Sequence, residues 1–184
     1  MTAMLVDENP LAHSVLPTFS ALYDASAGLS DASVDEQDVV FFGPPNPADT
    51  VVGNIRVLEQ LPVADSSTSR IARTTEYRDM YGHLVAEVFV SGTVDGSAPR
   101  SASDKNSSAL AAYAATTFGA ESIRRFRTRI FVPEADSTSL TYACTPIAEY
   151  QKDAERVSDV IVTATDCNGT VAARAWATVT EPAA

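Results

Sequence analysis

Two runs of strict alternation organise this chain. Leu84, Ala86, Val88 and Val90 alternate with Val85, Glu87, Phe89 and Ser91; Val171, Ala173, Ala175, Ala177 and Val179 alternate with Ala172, Arg174, Trp176 and Thr178. A period of two is that of a strand buried on one side, so the all-apolar series faces the core. Glu87 and Arg174 then take matching outer positions, as do Phe89 and Trp176. A helical period governs Phe19, Leu22, Tyr23 and Ser26, with Pro17 suited to the first turn and Gly28 to the end. A second helix can be capped by Ser107 and Ser108 and stop at Gly119; its run Ser108-Ala109-Leu110-Ala111-Ala112-Tyr113-Ala114 resembles Ser20-Ala21-Leu22-Tyr23-Asp24-Ala25-Ser26.

Further strands follow from apolar and β-branched runs between turn residues. In the first half they are Asp38 to Phe42, Thr50 to Leu61, Thr68 to Arg78 and His83 to Val94; in the second, Ile123 to Val132, Thr138 to Tyr150, Arg156 to Thr165 and Thr170 to Glu181. Short turns between consecutive strands imply antiparallel meanders. Residues 1–10 read as polar with a candidate brief strand at Met4-Leu5-Val6, and the acidic, Ser-rich residues 30–38 read as loop.

The two halves are copies. Ala48-Asp49-Thr50 recurs 87 positions later as Ala135-Asp136-Ser137, and Asp79-Met80-Tyr81-Gly82 recurs at the same offset as Asp166-Cys167-Asn168-Gly169. Each copy reads as a helix followed by a four-stranded meander, with two copies burying a shared core. The expected division is a first repeat over 1–94, a linker over 95–106 and a second repeat over 107–184, in one pseudo-dimeric domain.

Composition narrows the function. With 45% hydrophobic residues in 184 the chain should be globular, and a net charge of −11 argues against nucleic acid as a partner. No apolar run reaches the ~20 residues of a membrane span, and the start lacks the basic region of a secretory signal, so a cytoplasmic location without membrane contact is expected. Cys144 and Cys167 have neither partner spacing nor a Cys/His ligand set, which leaves free thiols and calls for no metal.

Local wording adds a family. Phe42-Gly43-Pro44-Pro45-Asn46-Pro47-Ala48-Asp49-Thr50-Val51 resembles the entry to the second strand in MaoC-like dehydratases and hydratases, and Thr75 to Ala86 resembles their hairpin. The resemblance implies an α+β chain with a double hot-dog fold, each sheet wrapped on one helix. It covers roughly residues 38–94 and 123–181 and rests on turns, which carry architecture more than chemistry. The family's catalytic motif, roughly G-D-x-N-P-[IL]-H before the helix, is similar to Val6-Asp7-Glu8-Asn9-Pro10-Leu11-Ala12-His13. Here Val6 replaces the glycine and Ala12 adds a residue before the histidine; the glycine-bearing segment that usually follows is missing.

What the resemblance implies is an enzyme acting without a cofactor on an acyl thioester or polyketide-like chain, carried by CoA or acyl carrier protein, in a pocket between the repeats. Asp7 and His13 would be the acid–base pair and Asn9 a substrate contact; the plainer reading is an N-terminal capping segment with turn hydrogen bonds. Arg125, Arg127 and Arg129 alternate on one strand face and could grip the carrier's phosphate or pair with carboxylates on an outer face. Tyr23 and Tyr113 could line the pocket or fill the core. Rival readings are a natural-product cyclase or isomerase that orients an apolar chain without an acid–base pair, a thioesterase, and a non-catalytic hot-dog subunit. A fused pair fits a monomer or a homodimer.

Overall fold

The computed structural model describes residues 13–15, 17–27, 32–43, 48, 50–63, 68–95, 102–132 and 135–181. Its elements are β1 (His13–Val15), α1 (Phe19–Ala27), β2 (Ala32–Phe41), β3 (Val51–Pro62), β4 (Thr68–Arg78), β5 (Leu84–Asp95), α2 (Ala102–Phe118), β6 (Ile123–Ile130), β7 (Thr141–Lys152), β8 (Glu155–Thr165) and β9 (Val171–Thr180). The strands form one antiparallel sheet in the order β1-β3-β4-β5-β2-β6-β9-β8-β7. Both helices lie against one face, α1 on β5 and β2, α2 on β6, β9 and β2, and the helices touch each other.

The duplication is visible atom by atom at the hairpins. The Asp79 side chain accepts from the amides of Tyr81 and His83, and Asp166 accepts in the same way from Asn168 and Thr170. Gly82 and Gly169, at φ 83° and 82°, take the left-handed conformation that closes each turn. Each hairpin is followed by the same irregularity, at Tyr77/Arg78 and at Ala164/Thr165. The outermost strand pairs carry matching bulges too, at Val57/Glu59 and Pro146/Ala148. Most of the expected core series is buried: Ala86, Val88 and Val90 on β5, and Ala173, Ala175, Ala177 and Val179 on β9. At the irregular strand starts Leu84 and Val171 are only half-buried, and Ala172, expected outside, is buried.

The strands of each repeat do not all neighbour in chain order: β2 pairs with β5 rather than β3, and β6 with β9 rather than β7, so only the last three strands of each repeat form a meander and the first returns beside its last strand. Three further expectations are corrected. Residues 32–37, expected as loop, are strand: they form the first part of β2, which continues through the expected strand from Asp38 to Phe41. The stretch looks like a loop because its outward residues Glu36 and Asp38 are acidic; its inward residues Val34, Gln37, Val39 and Phe41 are buried. Second, α2 starts at Ala102, so it takes up part of the expected linker, and Ser107 and Ser108 lie inside it rather than at its cap. Ser107 is buried there and serves a tertiary contact. Third, β7 starts at Thr141, because Asp136 caps a short 3-10 turn over Ser137–Ser139 first. Gly119, at φ 83°, does end α2, and Thr18 caps α1 by accepting from the Ala21 amide. Met4-Leu5-Val6 and Gly28 lie outside the described residues.

Two kinds of glycine should separate in a stability assay. A Cβ at Gly82 or Gly169 would meet nothing within 4 Å, so alanine there strains only the backbone, at about 1–2 kcal/mol in either repeat. A Cβ at Gly92 would lie 2.1 Å from the Ser33 carbonyl oxygen, forcing β2 and β5 apart. Urea unfolding is expected to show a loss of at least about 3 kcal/mol for Gly92→Ala. Similar losses at all three positions would contradict this packing.

Candidate functional site

The inner face of the sheet is where the copies differ. On β4, Arg73, Thr75 and Tyr77 are in register with Val90, Val88 and Ala86 of β5 and so share their inward face. On β8 the corresponding positions are Val160, Val162 and Ala164, which pair with Ala177, Ala175 and Ala173. The first repeat therefore lines its interior with a guanidinium, a hydroxyl and a phenol where the second has aliphatic side chains. Thr75 is 3% exposed and Tyr77 is fully buried. Burial pushes the Tyr77 hydroxyl up to about 12, with the Arg73 charge acting against it, and burial also holds Arg73 below the ordinary guanidinium range. The phenol is thus a proton-bearing donor at any physiological pH.

The strand register aligns this wall with the N-terminal segment. Gly53 of β3 pairs with Tyr77 on one side and with His13 of β1 on the other. His13 precedes α1 in the chain. Its backbone is described and its side chain is not; Asp7 and Asn9 lie outside the described residues.

The remaining candidate residues fall elsewhere. Tyr23 of α1 is buried at the junction of the repeats, where its hydroxyl hydrogen-bonds the Ser107 hydroxyl of α2 and, at 3.2 Å, that of Thr128 of β6. Its backbone carbonyl accepts from Gln37 Nε2 of β2 at 3.1 Å. Phe19, Tyr23 and Phe126 pack as an aromatic trio with centroids 5.2–5.9 Å apart. Tyr113 is half-buried and stacks on Tyr142 of β7 at 5.1 Å. Both tyrosines belong to the same core, Tyr23 within it and Tyr113 packed against it. Arg125, Arg127 and Arg129 point away from the helices, on the outer face. Arg125 forks onto Asp38 at 2.6 and 3.1 Å, and Arg127 meets Glu36 at 2.6 Å. With Trp176, Ile147, Asp159 and Thr178 the three arginines line an open groove of about 490 Å³.

No protein-family model matches the sequence, and no curated protein matches it. Solved structures match the fold. One is a MaoC-like dehydratase, 11% identical, with a TM-score of 0.59 over 83% of this chain and 76% of the other. A protein from Lactobacillus plantarum described as an oleoyl thioesterase gives 0.62 at 9% identity over 97% and 100%. A conserved hypothetical protein from Mycobacterium tuberculosis with a double hotdog fold gives 0.60 at 9% identity over 88% and 79%. The chain is a double hot dog. At these identities the likeness establishes the fold alone.

Within the double hot dog, sequence reasoning missed Arg73 and Tyr77. The signal was present: laying the repeats over one another at Asp79 and Asp166 sets Arg73 against Val160 and Tyr77 against Ala164. Tyr77 also has a measurable signature. It loses its proton near 10 in the unfolded chain and near 12 in the fold, so the folded state holds the proton more tightly. The stability this gives is complete below pH 10 and is lost as pH rises through 12. Alkaline denaturation is expected to show a fall of about 2 kcal/mol across that window, flattened in Tyr77→Phe. An unchanged slope in the variant would contradict the burial of this phenol.

Proposed function

We propose that this double hot dog is a hydro-lyase of the dehydratase or hydratase type, acting on an acyl thioester or polyketide-like chain held between the repeats. The observation that carries the reading is the polar inner wall of the first repeat, Arg73, Thr75 and Tyr77, in line with His13 and absent from the second repeat. A single polar half suits a site that binds one thioester in one orientation, with the apolar half left to the acyl chain.

In the dehydration direction, a base takes the proton on the carbon next to the thioester carbonyl, and the hydroxyl on the following carbon leaves as water with a proton from an acid. The products are the enoyl thioester and water. His13 and Asp7 take these roles, since imidazole titrates near neutrality and a carboxylate can hold it in place. Tyr77 keeps its proton throughout and serves as a hydrogen-bond donor. Arg73 supplies fixed positive charge for the enolate-like oxygen that develops, the kind of preorganised stabilisation worth orders of magnitude in rate.

A thioesterase is the second reading, favoured by the full-length match to the Lactobacillus protein. There water attacks the carbonyl and the products are a carboxylic acid and a free thiol. One set of assays separates the two. With 3-hydroxyacyl and enoyl thioesters as substrates, a hydro-lyase interconverts them without releasing thiol, and a thioesterase releases thiol from either. Asp7→Asn and His13→Ala are each expected to lower hydration or dehydration at least about 100-fold, with the fold intact by circular dichroism. Full hydro-lyase activity in both variants would remove the acid–base assignment, and thiol release alone would replace the first reading by the second.

A further inference from the structure

The outer face of the sheet records the duplication in reversed charge. The axis relating the repeats passes through the seam where Asp38 of β2 is in register with Arg127 of β6. These two residues are each other's counterparts in the two copies. Glu36 and Arg125 correspond in the same way, and so do Glu87 and Arg174. At three equivalent positions the first repeat presents a carboxylate outward and the second a guanidinium. Beyond them the counterparts are Phe89 and Trp176, both aromatic, with Trp176 36% exposed. The face is near balance in charge on a chain whose net charge is −11.

The cross-strand neighbours on the basic side are of like charge. Arg129 and Arg174 stand directly opposite on β6 and β9, an arrangement that destabilises a sheet unless an anion joins it. Arg174 Nε is buried with no hydrogen-bond partner among the described residues. Glu36, the carboxylate in register with Arg129, is already held by Arg127, which leaves Arg129 the nearby charge of Asp35 and the Phe131 ring 5.9 Å away.

We propose that this face binds a second copy of the chain, through a two-fold axis that lies in the plane of the face parallel to β2 and β6. Such an axis lays the acidic half of one copy over the basic half of the other. Within each row of the sheet it sets Asp38 against the partner copy's Arg127, Glu36 against Arg129, and Phe89 against Trp176, each contact made twice. The partner's Phe89 meets the groove of about 490 Å³ beside Trp176 and Ile147, where a large aromatic can anchor an interface. A self-complementary patch is what an isologous dimer requires, and on an acidic chain this balanced face is where two copies meet without net repulsion.

Sedimentation equilibrium on the full chain tests this with two charge reversals. The wild-type chain is expected to be dimeric at micromolar concentration. Asp38→Arg sets arginine against arginine, and Arg127→Asp sets aspartate against aspartate, so each variant alone should dimerise at least tenfold more weakly. An equimolar mixture of the two places opposite charges at both contacts and should recover the dimer. Recovery on mixing cannot come from misfolding of either variant. A monomeric wild type, variants that dimerise as well as wild type, or a mixture no tighter than its parts would each overturn the proposal.

Discussion

The pairing of β2 with β6 is the constraint on which the rest of this molecule depends. It joins the two repeats into one sheet, in a register that runs from Glu36–Arg129 to Val40–Arg125. On the inner side of that seam, Tyr23 reaches from one helix to the Ser107 hydroxyl of the other and to Thr128 of β6, while Gln37 of β2 donates to the Tyr23 carbonyl. Buried polar groups in low dielectric are costly unless satisfied, so this network specifies one arrangement of the halves more sharply than apolar packing could. On the outer side, Arg125–Asp38 and Arg127–Glu36 tie the same two strands. Half-exposed pairs of this kind contribute at most about 1 kcal/mol each, and their use is to fix register and exclude a slipped alignment.

With the halves locked, each copy was free to change. The hairpins, bulges and left-handed glycines stayed alike because they shape the backbone. The inward residues of β4 and β8 diverged into a polar wall and an apolar one, Arg73, Thr75 and Tyr77 against Val160, Val162 and Ala164. Aromatic placement diverged with them: Tyr77 stands on β4 across from Gly53, and in the second copy Tyr142 stands on β7 across from Ala164. A symmetric ancestor would thus become a chain whose two inner faces differ in chemistry, one polar and one aliphatic.

Most of the architecture was legible in the residues. The alternation around Val88 and Ala175, the Asp-x-x-Gly hairpins and the 87-residue offset carry the fold, because they report the pleat, the turn and the duplication directly. What stayed hidden was the first half of β2, where the acidic residues find their arginines some 90 positions later, and the start of α2, where Ser107 reads as a cap when the helix is taken in isolation. Tertiary partners decide both cases, and no local pattern records them. The candidate site was legible only in part. The motif around Asp7 and His13 drew attention because it resembles a known wording, whereas Arg73 and Tyr77 have no wording and stand out only when the two repeats are compared position by position.

Native-state hydrogen exchange tests the seam most directly. If β2–β6 pairing makes the halves one body, the amides of Val39, Phe126 and Thr128 should exchange only through global unfolding, with β4 and β8 sharing the same free energy of opening. Persistent protection in β8 and β9 under conditions where β2, β4 and β5 exchange freely would contradict it, and would mean two halves that fold separately and merely touch.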